Sequence, residues 1–78
     1  MQRQQIIAKK GEAMSGEKFQ KYLVSLKNRK AETTYTERDK VKVFSNIEEA
    51  FEMIKLLLNT DEYGWYALDY DRWNEGRG

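Results

Sequence analysis

Ser45 to Asn59 reads SNIEEAFEMIKLLLN, and its apolar residues recur every three or four positions, a spacing that a helix gathers onto one side. Ile47, Ala50, Phe51, Ile54, Leu57 and Leu58 form that side, Met53 widens it, and Glu48, Glu49 and Glu52 fill the other. Ser45 with Glu48 three residues on has the capping-box pattern. Asn59 tolerates the left-handed conformation that often closes a helix. Burying each apolar side chain contributes roughly 1.5–3 kcal/mol, while ordering the backbone costs about 1–2 kcal/mol per residue. The two nearly cancel, so this helix needs an apolar surface from the rest of the chain. Leu56 falls among Glu49 and Glu52 and reads as an ordinary exposed leucine.

A chain of 78 residues has room for one domain, and at that size only about 60% of the unfolded surface can be buried. It has no Cys and no His, which excludes disulfides and the usual zinc ligands as staples. Stability must come from a compact core, self-association or a partner. No apolar run approaches the roughly 20 residues that cross a bilayer. The longest near the start, Ile6-Ile7-Ala8, is too short for a signal peptide. These features suggest a cytoplasmic protein. The formal charge of +1 conceals a split: residues 1–30 carry eight Lys and Arg against two Glu, and residues 31–78 carry six basic against eleven acidic side chains. That asymmetry points to two surfaces of opposite sign or to head-to-tail self-association.

Met14-Ser15-Gly16 reads as a natural start, since the codons for Lys10-Gly11-Glu12 can spell a ribosome-binding site just upstream. Residues 1–13 are therefore expected to be a flexible leader or upstream-translated arm, and 14–78 the domain. From an N-cap at Ser15, the spacing of Phe19, Tyr22, Leu23 and Leu26 predicts a helix to about Lys30. Its polar flank would be Lys18, Lys21, Ser25 and Arg29. Ala31 to Phe44 is rich in β-formers, with a turn expected at Glu37-Arg38-Asp39-Lys40 and with Val41 and Val43 facing the Ser45–Asn59 helix. After a loop ending at Gly64, Trp65 to Tyr70 alternates as a strand, with Trp65, Ala67 and Asp69 on one side, and a polar tail follows from about residue 71. The expected fold is α+β in the order α-β-β-α-β, with two helices on one face of a three-stranded, largely antiparallel sheet.

The missing His removes the commonest group that titrates near neutrality, and no glycine-rich phosphate loop is present. Asp61, Glu62, Asp69, Asp71 and Glu75 match no calcium-loop spacing and are read as solubilising acids, so no metal or cofactor is expected. The more suggestive stretch is DEYGWYALDYDRWNE. Tyr63, Trp65, Tyr66, Tyr70 and Trp73 give five large rings in eleven residues, bordered by Asp69 and Asp71. Tyr and Trp dominate many protein interfaces because they bring large area at low entropy cost.

The reading is thus a non-enzymatic protein-binding module, an inhibitor or regulator of a larger intracellular protein or nucleoprotein machine, bound through that ring-rich, acidic segment. In size, charge and start-site pattern the chain is similar to small proteins with which bacterial viruses block host functions. The alternative is a nucleic-acid-binding protein using Lys18, Lys21, Arg29, Arg38, Lys40 and Lys42 as one basic surface. No membrane partner is expected, and homodimer and monomer are equally open.

Overall fold

Ile6, Ile7 and Ala8 are all fully buried, although strand alternation sends Ile7 to the opposite side from its neighbours. The strand that carries them is therefore covered on both faces. It is β1 (Gln5–Glu12), and in the computed structural model, which describes residues 3–12, 18–60 and 63–75, it lies inside the sheet. The other strands are β2 (Lys18–Lys27), β3 (Lys30–Thr34) and β4 (Trp65–Asp69). They form an antiparallel sheet in the order β3-β2-β1-β4. Ala8 stands opposite Tyr22 on one side and Tyr66 on the other, and Gln5 stands opposite Asp69.

Helix α1 (Ile47–Leu57) crosses one face against β1 and β4. Ile7, Leu23, Phe44, Ala50, Leu57 and Trp65 make the core there, with Leu26, Ala31, Met53, Ile54 and Ala67 packed around them. Helix α2 (Tyr70–Glu75) follows β4 directly. Its Trp73 rests on Tyr22 with ring centroids 5.1 Å apart. Tyr22 alternates with Leu23 of the α1 core, so α2 covers the opposite face.

The class is α+β, as expected, but the order and the count of strands differ. Gln5–Glu12, read as a flexible arm, is an interior strand. The expected helix from Ser15 to Lys30 is β2 from Lys18 onward; Ser15 and Met14 lie outside the described residues. A break in register explains the misleading spacing. Leu23 pairs with Thr33 and Ser25 with Glu32, so Val24 is an extra residue in a bulge, and Leu23 and Leu26 reach the same face three positions apart. A bulged strand thus imitates a helical period. The two helices lie on opposite faces, not on one.

The hairpin also moves. Its turn is not at Glu37–Lys40, which forms a single 3-10 turn at Arg38–Lys40, but at Asn28-Arg29 between the paired Lys27 and Lys30. Both loop residues have positive φ, 51° and 64°, as a type I′ two-residue loop requires. Val43 is exposed, and it is Phe44 that enters the α1 core. Phe44 and Gln5 exchange backbone hydrogen bonds of 2.7 and 2.8 Å, and the Lys42 amide donates to the Leu23 carbonyl at 2.9 Å. Residues 42–44 thus fill the gap left where β2 diverges from β1.

The cap of α1 sits one residue later than the sequence pattern suggests. The Asn46 side chain accepts from the Glu49 amide at 2.9 Å, and the Glu49 carboxylate accepts from the Ser45 amide at 3.1 Å. At the other end Asn59 does not adopt a left-handed conformation. Instead the amide and hydroxyl of Thr60 donate to the Leu57 carbonyl at 3.0 and 2.6 Å. Gly64, at φ 88°, leads the chain into β4.

Two outcomes test this topology. A chain beginning at Met14 lacks β1 and is expected to lose its cooperative melting transition by circular dichroism; a melt as sharp as that of the full chain would overturn the assignment. Arg29→Gly relieves a side chain held at positive φ, where the left-handed conformation costs roughly 1–2 kcal/mol. Glycine's greater unfolded-state freedom offsets part of this, leaving an expected stabilisation of about 0.5–1 kcal/mol by urea unfolding, and a loss of stability would speak against the I′ loop.

Candidate functional site

The ring-rich segment is divided by strand alternation. Trp65 faces α1 and is 9% exposed, inside the core. Tyr66 points to the other face, where burial pushes its phenol above the ordinary value and the Tyr22 phenol beside it adds to the shift. Trp73 lies between Tyr22 and Tyr70, its ring centroid 5.9 Å from that of Tyr70, while the Arg38 guanidinium sits 4.2 Å over its ring and donates to its carbonyl at 3.1 Å. The Trp73 indole N–H and Arg38 Nε–H are buried with no partner among the described residues. Tilted ring–ring contacts, a cation over the indole and one hydrogen bond therefore hold this cluster together. Of the five rings, Tyr63 is the one that stands clear of the fold, 71% exposed.

Asp69 and Asp71 border an open hollow of about 420 Å³ together with Arg3, Arg72 and Glu75. Asp69 is engaged there: it accepts from the Gln5 amide at 2.7 Å and from Arg3 at 3.1 Å. Those two bonds, the Gln5 bond foremost, hold its carboxyl below the ordinary 3.8. Asp71 and Glu75 are exposed. Asp61 and Glu62 lie outside the described residues, and among the described residues no three acids are grouped to hold a metal.

The basic residues expected to form one surface sit on separate elements. Lys18 begins β2 and Arg29 lies in the loop past its end, roughly 30 Å apart at 3.3 Å per residue. Lys21 is half-buried opposite Lys9. Arg38 is committed to Trp73 and Lys40 to Glu37, at 3.0 Å. Lys42 lies over the Phe44 ring, and Arg29 occupies the hairpin loop with Lys27 and Lys30 beside it.

Sequence reasoning missed an apolar ridge on α1. Ala50 and Leu57 are fully buried, whereas Ile47, Phe51 and Leu58 are 39%, 52% and 59% exposed. At 3.6 residues per turn these three fall within about 40° of one another along roughly 16 Å of helix. The apolar side read from the sequence is wider than the surface beneath it, so one margin faces outward. Glu48 and Glu52 lie beside the ridge, and Lys55 approaches Glu52 at 3.5 Å. Leu56 is exposed on the far side, where the sequence put it.

Compared with protein-family models, curated proteins and solved structures, the chain matches none. No helix of the described residues is long and apolar enough to cross a membrane.

Asp69 gives a pH test. A carboxyl whose folded-state value is lowered contributes stability above 3.8 that is lost as pH falls through the lower folded value. The melting temperature of the wild type is expected to fall more steeply below about pH 4 than that of Asp69→Asn. Parallel acid limbs for the two proteins would show that the Gln5–Asp69–Arg3 contacts do not persist in solution.

Proposed function

We propose that this protein is a non-enzymatic protein-binding module, a regulator or inhibitor that acts by covering a surface of a larger cytoplasmic partner. The observation that carries the reading is the α1 ridge of Ile47, Phe51 and Leu58, three large apolar side chains exposed in one line on an otherwise well-seated helix. Contiguous apolar exposure of this kind marks interaction sites, where scattered single residues do not. The helix-in-groove mode reads anchors recurring along one side of a helix; here Ile47 and Phe51 are about one turn apart and Leu58 lies about two turns further along the same line. Glu48, Glu49 and Glu52 against Lys55 make the helix surface acidic, so the fitting partner presents an apolar groove with basic margins. The absence of His and Cys from the chain supports occupation over catalysis.

The ring-rich segment has a smaller part in this proposal than its composition suggests. Trp65 is inside the core and Trp73 packs at a tilt against Tyr22, which leaves exposed Tyr63 and Asp71 to extend a contact.

The test compares the wild type and two variants in capture from a bacterial lysate, followed by binding of the captured protein in purified form. Phe51→Ser with Leu58→Ser is expected to weaken binding roughly tenfold or more and to leave the fold within about 0.5 kcal/mol of wild type, as exposed positions do. Leu56→Ser, on the far side of the helix, is expected to bind normally. Equal binding by all three removes the ridge as the contact surface.

A further inference from the structure

Beyond Tyr22, β2 no longer pairs with β1, and past the Lys42 bond to the Leu23 carbonyl it continues with β3 as a two-stranded ribbon. Its tip is Lys27-Asn28-Arg29-Lys30, every residue exposed. Lys27 and Lys30 stand directly opposite each other, an arrangement in which like charges destabilise the pair. Arg29 holds φ 64° in a loop position that glycine fits better. Among the described residues no carboxylate within ion-pair distance offsets Lys27, Arg29 or Lys30. Two local rules are broken within four residues, and no carboxylate among the described residues compensates. Such concentrations of local cost are characteristic of functional sites.

We propose that this hairpin tip is a contact for duplex nucleic acid, with Lys27, Arg29 and Lys30 on phosphates. A duplex carries one negative charge per roughly 1.7 Å of axis, which turns the mutual repulsion of three clustered cations into attraction. The major groove of B-form DNA, about 12 Å wide, admits a two-stranded ribbon. Asn28 at the apex brings an amide that donates and accepts, as contacts to phosphates and base edges require. The tip has no apolar residue to enter a bilayer, because the adjacent Leu26 and Ala31 pack against the core. This surface is separate from the α1 ridge and stands whether or not that ridge binds a protein.

The test is fluorescence anisotropy of the full chain with a labelled mixed-sequence DNA duplex, between roughly 50 and 200 mM salt. Phosphatidylserine vesicles and polyglutamate serve as competitors. Three phosphate contacts give an expected slope of log affinity against log salt of about −2.7. Lys27→Ala/Arg29→Gly/Lys30→Ala is expected to fold and to bring that slope close to zero. Lys10→Ala, an exposed lysine elsewhere in the sheet, is expected to keep most of it. Arg29→Gly alone is expected to melt higher yet bind more weakly, a pairing of opposite signs that a purely structural role does not produce. The proposal is overturned by no duplex binding at about 50 mM salt, by undiminished binding in the triple variant, by an equal loss in Lys10→Ala, or by vesicles or polyglutamate outcompeting the duplex.

Discussion

The architecture depends on one strand being sealed from water on both sides. β1 puts Ile7 toward α1 and Ile6 and Ala8 toward α2, each without exposed surface. A single amphipathic helix can cover one face of a sheet but not two. The second face explains features that are otherwise puzzling: a six-residue helix directly after β4, Trp73 laid across Tyr22, and Arg38 from a distant turn placed over the indole. The aromatic surplus of the C-terminal third is therefore largely structural. Large flat rings cover much area per residue, which a chain of 78 residues needs when it has few residues left to build a second layer.

What the sequence disclosed follows from how each element is stabilised. α1 is legible because its period is a local signal, although its cap and its closing residue each fall one position later than the pattern suggests, and Trp65–Asp69 because its alternation is undisturbed. The rotation of α1, which buries Leu57 and exposes Leu58, is set by the surface beneath it and has no local signature. β2 was misread because a bulge at Val24 shifts its alternation into a spacing shared with helices. β1 was misread although it carried a usable sign. A continuous Ile6-Ile7-Ala8 run is what a strand buried on both faces looks like, and its shortness concealed that. The hairpin turn was hidden because a lysine- and arginine-rich loop lacks the glycine that usually marks such a turn.

The same logic separates the candidate surfaces from the scaffold. Residues that looked functional by composition, the tryptophans above all, are bound up in packing. Residues that looked ordinary, Phe51 and Leu58 on the helix and Lys27 and Lys30 on the hairpin, are left without a structural role of their own. Several of the cations are tied to rings or to a neighbouring acid, as Arg38, Lys40 and Lys42 are, while three exposed ones stand together at the end of the β2-β3 ribbon.

The pairing of Gln5 with Asp69 joins residues near opposite ends of the chain. During synthesis β1 must wait for β4 before both of its edges are occupied. Until then an Ile-Ile-Ala segment with strand character remains in contact with water. Contacts this distant in sequence slow folding for a chain of given size. Early closure is therefore not open to β1, because its second edge is filled only once Trp65–Asp69 has been made.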